Sequence, residues 1–252
     1  MEFRAWIYPV LFFVGLAAGT VDSIAGGGGL LTLPALLSVG LPAPFALGTN
    51  KFQASFGSTS AAWHYSRAGL VNWRDCISGI VCTAIGALFG AALADSLSQA
   101  LLQQILPVLL LIVLAYTIAR PQAGLRAQIP KVNGTLFFVG FGLTLGFYDG
   151  FLGPGTGSFW TVLLIALLGF EFLAATATTK VMNATSNVVG FAFFLAAKKV
   201  DFRAGLVMGA GQLIGAKIGT RLAVKGGAKF VRPVFLTVVA ALLIRLLLRQ
   251  LH

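Results

Sequence analysis

The sequence predicts an all-α polytopic membrane protein. Three observations carry that prediction: a composition too apolar for water, apolar segments of membrane-spanning length, and a duplicated order of motifs. Of 252 residues, 58% are hydrophobic and only 10% are charged, and the mean hydropathy is +0.91. A soluble chain carries about a quarter of its residues as charge, so this one cannot cover its own surface with polar groups. A helix needs about 20 apolar residues to cross the hydrocarbon. Segments of that order recur at 6–25, 43–66, 74–96, 100–119, 132–152, 172–197, 203–224 and 229–249. Two shorter apolar pieces, 30–40 and 155–170, follow glycine-rich breaks. The expectation is therefore eight long transmembrane helices plus two Gly-broken or re-entrant segments, eight to ten spans. Met1 to Arg4 leads straight into Ala5-Trp6-Ile7 without a convincing small-residue cleavage site, which is expected of a retained membrane helix rather than a removable signal peptide.

The motifs come in two sets. Asp22 precedes SIAGGGGLL and Asp149 precedes GFLGPGTGSF, 127 residues later. Thr49-Asn50-Lys51 matches Thr178-Thr179-Lys180, and Val71-Asn72-Trp73-Arg74 matches Val200-Asp201-Phe202-Arg203, both at an offset of 129. Gly86 and Gly90 match Gly215 and Gly219 at the same offset. Several matches in one order define two homologous repeats of about 125 residues: 1–120, a basic linker at 121–131, and 132–252. Four crossings per half make the copies parallel and five make them inverted. Loop lysines and arginines vote both ways, so the positive-inside rule leaves that choice open.

A formal charge of +11 raises the question of nucleic acid, but the basic residues lie in short stretches between apolar segments, as at Arg67 to Arg74 and Lys225 to Arg232. A contiguous basic face with interleaved aromatics is lacking. Cys76 and Cys82, with only His64 and His252 to join them, give no zinc spacing, so neither metal nor cofactor is expected. No Ser/His dyad or carboxylate cluster suggests an enzyme, and no Lys-Ser or Lys-Thr follows the glycines to make a nucleotide loop.

Three groups of residues stand out. The first is the pair of breaks, Gly26, Gly27, Gly28 and Gly29 in one half and Gly153, Pro154, Gly155, Thr156 and Gly157 in the other. Irregular backbone at membrane depth is tolerated only inside protein or beside a water-filled cavity, and matching breaks in two repeats point to a transporter's binding site. Amides freed before the next short helix would face an anion; the alternative is a turn at the membrane surface. The second group is Asp22 and Asp149, each four residues before the first glycine of its break. Proton coupling or gating is one reading, a helix cap or a salt bridge to a lysine the other. The third group is Lys51 and Lys180, which sit about eight residues inside apolar segments, roughly 12 Å along a helix. Lys180, Asn183 and Asn187 share one helix face, as do Lys51, Ser55 and Ser58, with Asn50 and Gln53 beside them and Thr179 beside Lys180. Two cations with amides and hydroxyls suit an oxyanion; snorkelling to the interface is the alternative.

Small residues at four-residue spacing (Gly15/Gly19, Gly86/Gly90, Gly142/Gly146/Gly150, Gly211/Gly215/Gly219) are expected to seat helices against one another. Trp63-His64-Tyr65 reads as an interfacial belt. Gln212 and Lys217 are intramembrane polar residues that either face a cavity or bond to a neighbour. Arg74 and Arg203 each open a helix and are expected to anchor it.

The run GLAAGTVDSIAGGGGLLTLPALL, then LGTNK and AGLVNWR, resembles the sulfite exporter TauE/SafE family, also called the toluene-sulfonate uptake permeases. So do GFYDGFLGPGTGSF, ATTKVMNATSN and VDFRAGLVMGAGQLIGAKIGTRLA in the second half. The resemblance implies a multi-pass carrier of the bacterial-type inner membrane, handling sulfite, organosulfonates or related sulfur oxyanions and carboxylates. It marks Asp22, Lys51, Asp149, Lys180 and Asn183 as positions to watch. The expected function is a secondary transporter of a small anion, with its site between the repeats and Asp22 or Asp149 available for proton coupling. A passive anion channel and a carrier of a small carboxylate are the rivals. The expected partners are a small anionic solute and the lipid bilayer; self-association into a homo-oligomer is left open.

Overall fold

A computed structural model describes residues 4–94, 111–112, 114–120 and 122–250. Among them the secondary structure is helical throughout, without a strand. The order is α1 (Ile7–Ala25), α2 (Gly29–Ser38), α3 (Ala43–Arg67), α4 (Trp73–Ala94), α5 (Gly134–Phe151), α6 (Thr156–Leu168), α7 (Phe172–Ala196) and α8 (Phe202–Gln250). Most of the span expected at 100–119 lies outside the described residues, although 114–119 are helical.

Two helix pairs form the frame. α1 lies against α8, and α4 against α5, with glycines at both seams. A Cβ on Gly211 would come within 2.8 Å of the Leu16 nitrogen, and one on Gly150 within 2.7 Å of the Ala87 carbonyl carbon. In lipid, where apolar burial drives little association, such backbone proximity supplies the van der Waals contact that holds helices together. Each seam joins a helix from 1–120 to one from 132–252, so the two stretches are interlocked.

The outer face is apolar. Phe13, Ile77, Phe89, Leu136 and Leu206 are each more than half exposed, a belt that water would penalise and acyl chains solvate. Among the described residues, Ile7–Ala25 and Trp73–Ala94 are long and apolar enough to cross a bilayer.

Both breaks form where the sequence places them, with fewer residues than expected. Only Gly26 (φ 79°) and Gly27 (φ 89°) leave the helical region in the first. Gly28 is already helical and caps α2. In the second, Gly153 (φ 90°) and Gly155 (φ 85°) flank Pro154. The sequence also predicts separate spans at 203–224 and 229–249, but they are joined in α8, which turns at Gly227 (φ 62°, ψ −166°). One glycine in the left-handed region redirects the axis without a polar loop.

The linker is no loose tether. Backbone N–H groups of Gln128 and Lys131 donate to the carbonyls of Gly169 (2.7 Å) and Leu167 (2.8 Å), and the Lys131 ammonium donates to Ala166 O at 2.8 Å. These carbonyls end α6 and lack intrahelical partners. A cation there also complements the negative end of the helix dipole.

Gly146 and Gly140 share α5 but not surroundings. A Cβ on Gly146 falls 2.6 Å from Thr83 O, whereas nothing lies within 4 Å of one on Gly140. Gly146→Val should therefore lose about 1–3 kcal/mol, seen as a lower thermal midpoint in detergent, while Gly140→Val unfolds near wild type. Equal midpoints for the two variants would contradict this packing.

Candidate functional site

The two 25-residue helices α3 and α7 each carry a lysine as their ninth residue, Lys51 and Lys180. Both side chains are buried, at 1% and 0% exposure, so neither reaches an interface. A buried ammonium must be matched by opposite charge. Lys51 Nζ donates to Asp149 Oδ1 at 2.8 Å, and Lys180 Nζ to Asp22 Oδ2 at 2.9 Å. The pairing is crossed: each lysine meets the aspartate at the other half's break.

Both carboxylates are fully engaged. The second oxygen of Asp22 accepts from the Gly28 amide at 3.0 Å, so this aspartate caps α2 and holds Lys180 at once. The second oxygen of Asp149 accepts from Ser186 Oγ. Lys51 also donates to Asn187 Oδ1 at 3.4 Å, and Asn187 Nδ2 donates to Ser58 at 3.3 Å. Both readings of the aspartates as cap and salt bridge therefore hold for Asp22.

The breaks cross back to back. A Cβ on Gly26 would lie 2.9 Å from Gly157 Cα, and Ser158 Oγ donates to Ala25 O at 3.3 Å. Only glycine admits that approach. Beside the crossing is a narrow cavity of about 30 Å³. Its wall includes Asp22, Gly27, Gly28, Gly29, Asn50, Lys51, Asp149, Gly153, Gly157, Asn183, Asn187 and Gln212, all singled out from sequence, and also Ala54.

Other expected site residues stand off this wall. Gly26 and Gly155 shape the turns. Thr156 Oγ1 donates to Gly153 O at 2.7 Å, bracing the start of α6. Thr179 bonds to Thr161, hydroxyl to hydroxyl, at 3.1 Å. Gln53 Nε2 donates to Asn50 Oδ1 at 2.9 Å, which also accepts from Thr32 Oγ1 at 2.5 Å. Lys180 reaches the cavity through Asp22. Ser55 turns away, donating to Lys51 O and lining an outer groove with Phe52 and Trp63.

Two features escaped the sequence, and a third was one of two alternatives it left open. Tyr65, placed with Trp63 in an interfacial belt, is fully buried while Trp63 is 61% exposed; helical residues two apart point about 200° from each other, to opposite sides. Its hydroxyl donates to Ser23 O at 2.8 Å, just before the first break. Tyr148 OH likewise donates to Pro154 O at 2.7 Å, within the second. Gln212 is buried on the cavity wall, whereas Lys217 is exposed. Only the depth of Gln212 in an apolar segment hinted at its place.

A helical bundle with an apolar belt outside and buried opposite charges at its centre belongs to the class of membrane transporters, in which intramembrane ionisable groups mark solute and ion paths. The chain belongs to the sulfite exporter TauE/SafE family, whose model matches residues 11–246. It is 43% identical over 242 residues to the probable membrane transporter protein ORF9 of Sinorhizobium sp, covering 96% of this chain and 93% of that one. It is 42% identical over 238 residues to the probable membrane transporter protein YfcA of Escherichia coli strain K12, covering 94% and 88%. A probable membrane transporter protein of Haemophilus influenzae is 38% identical over 233 residues, covering 92% and 91%. No solved structure matches the chain.

Removing one partner of a buried pair leaves the other charge stranded, at a cost of about 3–5 kcal/mol. Asp149 is 6% exposed and Asp22 20%, so Lys51→Met should lower the thermal midpoint more than Lys180→Met. Lys51→Met/Asp149→Asn should recover most of the loss. Failure of the double variant to recover would mean that the charges are not what the site must balance.

Proposed function

We propose that this protein is a secondary carrier of a small anion, sulfite, an organosulfonate or a related sulfur oxyanion, coupled to protons and resident in the inner membrane. The carrying observation is the crossed pair of ion pairs at the cavity. Two lysines face two aspartates, so the four charges cancel. Adding an anion to a balanced set would leave one negative charge unmatched in low dielectric. A proton taken by Asp22 or Asp149 removes one negative charge and frees a lysine, and the anion then restores balance. Proton and anion accordingly load together, and their combined gradients set the direction of transport.

Each residue has a place in that scheme. Lys51 and Lys180 supply charge. Asn183 and Asn187 orient the oxygens from α7, and Asn50 does so from α3. The glycines at 26–29, 153 and 155, with Thr156, keep the backbone irregular at the crossing, while Gln53 and Thr179 hold their neighbours in register. The crossed bonds also favour the reading of the chain as two homologous repeats of about 125 residues, joined by the linker, with eight to ten spans. A cavity of about 30 Å³ holds about one water. Loading an oxyanion thus requires the ion pairs to part, which favours a carrier over an open anion channel.

Flux into proteoliposomes tests this. Sulfite titrates in the working range itself, so methanesulfonate should be run beside it, with sulfate and acetate as competitors. Lys51→Ala and Lys180→Ala should each cut uptake about 100-fold, the factor equivalent to ~2.7 kcal/mol for a charge lost from membrane depth. An inward proton gradient should accelerate wild type. Asp22→Asn, which imitates the protonated acid, should keep binding but lose the acceleration. Unsaturable flux indifferent to protons would point to the channel, and preference for acetate to a carboxylate carrier.

A further inference from the structure

Gln212 has no part in the scheme above, yet its position is built with some care. It lies in the first arm of α8, is 3% exposed and sits on the cavity wall beside Asp22 and Lys51. The same wall carries both aspartates.

One glycine makes room for it. A Cβ on Gly57 of α3 would strike the Gln212 side chain at Oε1 and lie 3.1 Å from its Cδ, with only side-chain atoms of Gln212 as its nearest neighbours. A Cβ on Gly19 of α1 would meet the Gln212 backbone oxygen first, at 2.6 Å, with Oε1 at 2.9 Å. Elsewhere along the α1–α8 seam, as at Gly211 and Gly215, the nearest atoms are backbone, so glycine there serves helix contact. At Gly57 it serves the glutamine.

We infer that Gln212 is a direct ligand of the transported anion, donating an N–H to one of its oxygens from α8. The inference rests on the carrier reading above and adds a third long helix to the lysine and asparagine helices already assigned. A neutral amide fits this place because it adds a hydrogen bond without disturbing the charge balance. A lysine or arginine there would bind anion with no proton required and so uncouple the two.

Calorimetric titration of the full chain in detergent with methanesulfonate and with sulfite tests the assignment. Gln212→Leu should bind at least about tenfold more weakly, the loss expected for a hydrogen bond to a charged group, at a near-normal thermal midpoint. Gly57→Ala, which displaces the amide, should weaken binding similarly and add nothing in the Gln212→Leu background. If Gln212→Leu does not fold, the isosteric Gln212→Glu serves: its affinity should fall further at pH 8 than at pH 5 relative to wild type. Wild-type affinity in Gln212→Leu, or in Gln212→Glu at pH 8, overturns the inference. Binding lost in Lys180→Ala but kept in Gln212→Leu would remove Gln212 alone and leave the carrier standing. No binding of either probe by wild type would remove both.

Discussion

Two buried lysines impose the constraint around which the fold is arranged. Each ammonium has left water for the middle of a helix bundle, and each is matched by a carboxylate distant in the chain, 98 residues away for Lys51 and 158 for Lys180. An unmatched charge at membrane depth costs about 2.5–3.5 kcal/mol on insertion scales, so the match cannot be loose. The breaks satisfy it. By ending α1 just past Asp22 and α5 just past Asp149, the glycines let both aspartates meet a lysine and let the short helices turn back. The Gly28 amide and the Ser186 hydroxyl then occupy the remaining carboxylate oxygens. Both ion pairs at the centre thus join the first part of the chain to the second, and the glycine seams α1–α8 and α4–α5 repeat that interlocking at the periphery.

Much of this was legible in the sequence because lipid simplifies the code. Helix limits follow from apolar length, and α1, α3, α5 and α7 fall within two residues of their expected limits. The breaks follow from glycine and proline, and the depth of Lys51 and Lys180 from counting residues into an apolar run. What failed to show depends on tertiary distance. Lysine and aspartate could be suspected of pairing, but nothing local says that Lys51 takes Asp149 rather than Asp22. Tyr65 looked like its neighbour Trp63 because a sequence does not mark which way a helix is rotated. Gln212 was one polar residue on a glycine-rich face until Gly57, on another helix, proved to be its clearance. The α8 bend escaped because Gly226 and Gly227 between charged residues read equally well as a loop.

The two ion pairs are alike in chemistry and unlike in surroundings. Asp22 is 20% exposed against 6% for Asp149. The short helices differ in the same sense. In α6 ten of thirteen residues are buried and its end is capped by the 122–133 strap. In α2 four of ten are buried, and a groove of about 680 Å³ runs beside it, lined by Val14, Ala17, Leu31 and Pro34. The Lys180–Asp22 pair is thus less enclosed by protein than the Lys51–Asp149 pair.

That asymmetry bears on how a carrier of the proposed kind could move at small cost. Opening a buried pair to water weakens its attraction and returns solvation to both ions, and the two effects largely offset. Closing the other pair reverses both. If the wet pair and the dry pair exchange places, the number of lysine–aspartate bonds is the same before and after. The two ends of the cycle then differ chiefly in packing around α2 and α6, not in electrostatic energy. In the proposed carrier, two crossed pairs would supply both a balanced charge for coupling and two end states of comparable energy.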